Sequence, residues 1–259
     1  MSALSPRGDS RTAGRKATPI AVVTAMKEEF EAVLSRAREA RFRGTFVEAR
    51  IGTSDVALCL TGDGAGKAGR AADLLCEAVR PTALLGAGVA GALSPGLAVG
   101  DVLVSRRIHD SHGDVAPPPD ARLLAQALEN SQATAGTFLT VARPVVLASL
   151  KKALLQTLDD GGPAAADMES SAWARAAASR GIPYLIARAI SDRAEEDLPE
   201  YIGRCVGLDG AVRRSSVVLS ALAQPATIPA LLRMRGRVLA CAEKLAAFLE
   251  DFLSGGRPS

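Results

Sequence analysis

Apolar residues in this chain follow two alternating rhythms. Continuous apolar runs mark buried strands; between them apolar positions recur every three or four residues, as on one face of a helix. The run Pro19-Ile20-Ala21-Val22-Val23-Thr24 predicts a first strand, and Met26, Phe30, Val33 and Leu34 predict a helix over 26–38. Residues 43–61 alternate as two strands about a Gly52-Thr53-Ser54-Asp55 turn. Ala68, Ala71, Ala72, Leu75 and Val79 predict a helix over 66–80. Strands follow at Thr82–Gly86 and, opened by Gly100-Asp101, at Val102–Arg106. Residues 110–120 are polar and proline-rich, hence a loop, followed by a helix near 121–130, a strand near 137–142 and a helix near 147–157. Beyond Asp192, residues 204–223 and 227–253 predict two long helices joined at Gln224-Pro225. The second is amphipathic through Leu231, Leu232, Val238, Leu239, Leu245, Phe248 and Phe252. Strands alternating with helices predict an α/β fold: a single doubly wound domain with a central mixed twisted sheet flanked by helices, plus long C-terminal helices. The expected divisions are a disordered tail over 1–18, the α/β domain over 19–200 and a helical extension of it over 201–259.

The segment from Ala166 to Asp192 carries the most chemistry. Ala166-Asp167-Met168-Glu169 reads as a strand ending on an acid, Ser170-Ser171-Ala172 opens a helix, and Ile182 to Asp192 reads as a strand ending on a second acid. A right-handed crossover sets Glu169 and Asp192 side by side at the sheet edge where open α/β folds bind ligands. Two carboxylates in different surroundings can divide the work, one holding a ligand and one moving a proton. Simpler readings stand beside this one. Asp192-Arg193-Ala194-Glu195 fits a helix N-cap with its capping glutamate. Glu169 fits a cap for the helix after it, and Glu29 fits an exposed helix charge like Glu28 and Glu31.

Composition narrows the class. The chain has 259 residues, enough for one large α/β domain or two small ones, and its 48% hydrophobic and 23% charged residues are an ordinary soluble globular balance. Aromatics are 3%, so the core is aliphatic. The net charge of +3 owes much to Arg7, Arg11, Arg15 and Lys16, and no basic patch is interleaved with aromatics, so nucleic acid is not an expected partner. Cys59, Cys76, Cys205 and Cys241 are scattered, which fits reduced thiols in a cytoplasm rather than disulfides or a metal site. No apolar run is long enough to span a membrane. Residues 1–18 lack an apolar core of the secretory kind; they read as a disordered tail, with a basic organelle-targeting peptide as the alternative. His109 and His112 lack ligands at metal spacing and read as loop residues. No metal and no cofactor are expected.

Two glycine-rich stretches invite a phosphate reading. Gly86-Ala87-Gly88-Val89-Ala90-Gly91 matches the dinucleotide fingerprint, but Ala92-Leu93-Ser94-Pro95-Gly96 and another strand follow instead of a helix. What survives is a backbone passing close to a ligand, or tight turns alone. Gly62-Asp63-Gly64-Ala65-Gly66-Lys67 departs from a phosphate loop at Thr61 and Ala68, yet a helix N-terminus there can receive an anion or a polar sugar.

Five motifs in this order resemble the purine nucleoside phosphorylase/nucleosidase superfamily. They are Thr24-Ala25-Met26-Lys27-Glu28-Glu29-Phe30; Gly64-Ala65-Gly66-Lys67; Gly88-Val89-Ala90-Gly91-Ala92-Leu93 with Val99-Gly100-Asp101; Asp167-Met168-Glu169; and Arg188-Ala189-Ile190-Ser191-Asp192. The likeness spans about residues 19–200. The first and last motifs are most similar to methylthioadenosine/S-adenosylhomocysteine nucleosidases. Asp197-Leu198-Pro199 through Ile228-Pro229-Ala230-Leu231-Leu232 resembles the hopanoid-associated phosphorylases, a branch thought to remove adenine from an adenosyl-hopane precursor. Val89 agrees with that branch, since nucleosidases usually carry a small hydroxyl residue there.

The resemblance implies cleavage of the N-glycosidic bond of an adenosine-type nucleoside, with water or phosphate as co-substrate, in a homodimer. Asp192 would protonate the departing purine, Ser191 would position Asp192 or the base, and Glu29 would orient and deprotonate the attacking water. Glu169 would hold the ribose hydroxyls with Met168 packed on the sugar. Val89, Ala90, Gly91 and Val145 would complete the binding site. Breaking that bond builds positive charge on the ribose and negative charge on the base, so an acid near the base must keep its proton near neutral pH, which burial favours. A carboxylate under the sugar stabilises the cation. Ala142-Arg143-Pro144-Val145-Val146 stands where nucleosidases carry a stacking aromatic, so base stacking must be aliphatic or come from elsewhere, and a larger apolar 5′-group has room. A phosphorylase is the alternative enzyme. It needs cations near the ribose; the first loop has no arginine and Val89 no hydroxyl, leaving Arg143 or Arg188. A non-catalytic nucleoside-binding relative is the third reading, against which Glu29, Glu169 and Asp192 together argue.

Overall fold

The apolar runs form strands because they are covered on both faces. In the computed structural model, which describes residues 18–129, 133–158, 161–199 and 228–255, β1 (Ile20–Thr24) lies between two parallel partners, β4 (Ser54–Leu60) and β5 (Leu84–Ala92). Successive side chains of a strand point to opposite faces. Ala21 and Val23 share a core with Ala68, Ala72 and Leu75 of α2 (Ala65–Val79) and Trp173 of α5 (Ser170–Ala178). Val22, between them, packs on the other side with Val33 of α1 (Lys27–Ser35) and with Leu245 and Leu249 of α6 (Ile228–Leu253). Strands buried on both faces read as unbroken apolar runs rather than alternation.

The remaining elements are β2 (Arg38–Arg43), β3 (Phe46–Ile51), β6 (Val102–Asp110), α3 (Ala121–Glu129), β7 (Ala133–Thr140), α4 (Ala148–Leu155), β8 (Ala164–Asp167) and β9 (Tyr184–Asp192). The strands form one mixed sheet in the order β2-β3-β4-β1-β5-β8-β7-β6-β9. β9 also pairs with β5, so β5, β8, β7, β6 and β9 close into a ring. The fold is α/β, a central sheet flanked by helices with a long C-terminal helix.

Several boundaries differ from the sequence expectation. The first helix stops at Ser35, and residues 38–43 form an exposed edge strand against β3. With Arg38, Arg41 and Arg43 it carries no buried apolar face to signal it, and such charges protect a sheet edge. The strand expected at 82–86 runs on to Ala92, and that near 102–106 continues to Asp110. The strand near 137–142 occupies Ala133–Thr140. β8 ends at Asp167, so Glu169 lies beyond it, at the N-cap of α5. β8 and β9 are not joined by a parallel crossover: β5 lies between them, antiparallel to β8 and parallel to β9. The helix expected over 204–223 and the tail lie outside the described residues, apart from Thr18. No described helix is long and apolar enough to cross a membrane.

Candidate active site

The upper half of β5 is where three strands meet. Gly88 is paired with Arg188 and Gly91 with Asp192 on β9, while Gly91 also faces Ala166 on β8. The glycine run is neither a turn nor a phosphate loop. It is an extended strand that leaves room for the protein's own side chains. A Cβ on Gly88 would lie 2.2 Å from Arg188 Nη1, and one on Gly91 would lie 2.9 Å from Asp192 Oδ2. A cleft of about 200 Å³ opens here and is lined by all nine residues expected from sequence: Glu29, Val89, Ala90, Gly91, Val145, Met168, Glu169, Ser191 and Asp192.

Glu29 is not an exposed helix charge: it is 2% exposed, in the first turn of α1. Oε2 accepts hydrogen bonds from the backbone amides of Ala25 (3.0 Å) and Met26 (2.9 Å), and Oε1 from that of Val89 (2.9 Å). A carboxylate has about four acceptor positions, so one remains, on Oε1. Burial pushes its carboxyl above the usual range, against the pull of Arg188 and the three amides.

Glu169 stands at the N-cap of α5, but its side chain does not cap that helix. Asp167 does: its Oδ1 accepts from the amides of Glu169 and Ser170, each at 3.1 Å, and from Thr140 Oγ1 at 3.0 Å. Freed from capping, Glu169 receives the Gly64 amide at the start of α2 on Oε1 (3.0 Å) and Arg188 Nη2 on Oε2 (3.3 Å). The anion at that helix N-terminus is thus one of the protein's own carboxylates. Each oxygen keeps one acceptor position, enough for two neighbouring hydroxyls. Burial raises the Glu169 carboxyl to about 7; Arg188 opposes this and Asp167 adds to it.

Arg188 ties the cluster together. Its guanidinium, 1% exposed, bonds Asp167 (Nε to Oδ2, 3.2 Å), Glu169 and Ser170 Oγ, and its Cζ lies 4.8 Å from the centre of the Trp173 ring. Asp167, Glu169 and Glu29 hold the guanidinium charged although burial opposes it.

Asp192 is 3% exposed, and Arg193–Glu196 directly after it form a turn, not a helix. It does not lie in a purely apolar pocket. Lys151, from α4, places Nζ 2.5 Å from Asp192 Oδ2, and Ser191 Oγ lies 2.6 Å from Oδ1. Sequence reasoning missed Lys151. Its signal was position: Lys151 lies three and four residues before Leu154 and Leu155, on the inward side of α4, whereas Lys152 is exposed.

Apart from Asp63, the rest of the cleft is apolar. It includes Leu93, Val141, Pro144 and Val145, with Met26, Leu198 and, from α6, Met234 and Val238. No aromatic side chain is among the described lining residues. Val146 and Arg143 do not line the cleft; the Val146 carbonyl instead receives the Leu198 amide at 2.7 Å.

The family model of the phosphorylase superfamily matches residues 19–203. A 5′-methylthioadenosine/S-adenosylhomocysteine nucleosidase from Shewanella halifaxensis (strain HAW-EB4) is 29% identical, over 61% of this chain and 78% of the relative. Among solved structures, the nucleosidase of that name from Neisseria meningitidis, in complex with methylthio-immucillin-A, superposes with a TM-score of 0.71 at 19% identity, covering 92% of this chain and 99% of that one. Futalosine hydrolase of Helicobacter pylori strain 26695 gives a TM-score of 0.68 at 18% identity, covering 90% and 96%. At that identity the two structures share the fold.

Proposed function

The chain belongs to the phosphorylase superfamily, and from that premise we propose that it hydrolyses the N-glycosidic bond of an adenosine-type nucleoside. Asp192 protonates the departing purine. Glu169 accepts the two ribose hydroxyls on its open positions, and Glu29 takes the proton of the attacking water on its one open position. The named activity of the nucleosidase relatives supports an adenosine nucleoside.

The observation that carries water over phosphate is the charge balance. Among the described lining residues five are acidic (Glu29, Asp63, Asp167, Glu169, Asp192) and two basic (Lys151, Arg188). Both cations are committed, Arg188 to Asp167 and Glu169, Lys151 to Asp192. A phosphate dianion would enter against an excess of carboxylates, with both cations among the described lining residues already paired to acids. The aliphatic lining, with Met234 and Val238 of α6, favours an apolar 5′-substituent, from a methylthio group up to the lipid of the hopanoid-associated branch. The purified protein, given adenosine, methylthioadenosine and S-adenosylhomocysteine, is expected to release free base at the same rate with and without phosphate. A rate that requires phosphate would make it a phosphorylase.

A further inference from the structure

Lys151 has no role in the chemistry above, yet it is 1% exposed and lines the cleft. Its ammonium has three protons and three acceptors: Asp192 Oδ2 at 2.5 Å, the Arg193 carbonyl at 2.7 Å and the Glu196 carbonyl at 3.0 Å. None is left for a ligand. On the other side of the carboxylate, Ser191 Oγ lies 2.6 Å from Asp192 Oδ1 and 3.2 Å from the Ala90 carbonyl. A hydroxyl has one proton, so Ser191 serves one of these at a time. With Asp192 ionised, that proton goes to Oδ1. With Oδ1 protonated, it turns to Ala90.

Resting on the hydrolase reading, we propose that Lys151 is a positioning residue for the general acid: it stabilises the carboxylate that Asp192 becomes as its proton leaves. In that step the C1′–N bond breaks, its electron pair stays with the purine, and the Oδ1 proton passes to a purine nitrogen. Negative charge then appears on a carboxylate that is 3% exposed. Lys151 already touches Oδ2 and meets that charge without reorganising, and Ser191 has only to turn its proton from Ala90 to Oδ1. The attacking water gives one proton to Glu29 and its oxygen to C1′. One carboxyl has lost a proton and another has gained one, and solvent resets both between turnovers.

The other groups around Asp192 do not duplicate Lys151. Cys241 of α6 donates to the Ile190 carbonyl at 3.1 Å, and burial pushes its thiol up, so it stays neutral. Arg237 of α6 is paired with Glu196 at 2.5 Å. Arg188 is held by Asp167 and Glu169.

The test compares kcat against pH for wild type, Lys151→Met and Lys151→Arg, with the nucleoside that the wild type cleaves. Lys151→Met removes a positive charge 2.5 Å from the acid. The alkaline limb of its profile is therefore expected above that of wild type, and Lys151→Arg leaves the limb near its wild-type position. A residue that merely pins the 193–198 loop would change kcat or stability with the limb unmoved, and an unmoved limb overturns the proposal. If Lys151→Met does not fold at neutral pH, an unpaired buried carboxylate predicts recovery in acid and in the Lys151→Met/Asp192→Asn double variant; failure of both also overturns it. A wild type that cleaves no adenosine-type nucleoside removes the hydrolase reading and this proposal together, and is distinguished because no profile exists.

Discussion

Glu29, Glu169 and Asp192 are all buried, and what separates them is which acceptor positions their neighbours leave open. Glu169 keeps one on each oxygen. Glu169→Gln is therefore expected to narrow the preference for ribo- over 2′-deoxynucleosides, read as the ratio of kcat/KM values. The same variant tests its burial. The folded carboxyl sits at about 7 against 4.5 ordinarily, so between those pH values the folded state holds a proton that the unfolded state has released. Stability falls as pH rises through that window, by roughly 3 kcal/mol at most from this group. Denaturation from pH 4.5 to 7 should show a shallower fall in Glu169→Gln than in wild type; equal slopes would mean the charge is solvated. Asp192→Asn should lose about 10²–10⁴-fold in turnover. At a pH where Asp192 of the free enzyme is ionised, it should also lose roughly 3–5 kcal/mol of stability, because Lys151 is left without its counter-charge. Unchanged melting would deny the ion pair. From sequence alone Asp192→Asn is expected to fold unharmed, because a lysine beside another lysine in a helix announces no partner; Asp192 was legible because it ends an apolar strand.

At the scale of elements, β5 decides the site. Its glycines give β9 and α5 room to bring Arg188, Asp192 and Trp173 against it. Gly91→Ala pushes a methyl group against Asp192, and displacing a catalytic group by about 1 Å can cost about 10²-fold in rate. Gly236→Ala serves as the contrast. Gly236 is exposed inside α6 with nothing within 4 Å of its missing Cβ, so the change should stabilise by about 0.5–1 kcal/mol with turnover unchanged. If Gly91→Ala turns over normally, the close approach is not what the glycine provides. Element types were legible from periodicity, because buried parallel strands and helices differ in rhythm. The edge strand β2 was not, since its side chains bury nothing. The pairing of β5 with both β8 and β9 was not either: local sequence sets the strands but not which long-range partners close the ring.

For the molecule as a whole, α6 matters because it reaches back from the C-terminal region to the cleft. Phe248, Leu249 and Phe252 anchor it in the core, while Met234 and Val238 line the cleft. A series of 5′-alkylthio adenosines of increasing chain length is expected to show rising kcat/KM, at roughly 25 cal/mol per Å² of apolar surface buried. A flat or falling series would favour methylthioadenosine over a lipid-bearing substrate. Five motifs in order made the family legible, whereas the 5′-group was not, because it depends on side chains from distant segments meeting at one wall.

The most direct test of the whole account is the fate of oxygen from solvent. The purified protein is incubated with an adenosine-type nucleoside in ¹⁸O-labelled water containing phosphate, and the sugar product is analysed by mass spectrometry. Glu29 activating water, with both cations of the cleft held by carboxylates, predicts free adenine and a sugar carrying one ¹⁸O at C1′. An unlabelled sugar 1-phosphate would contradict it.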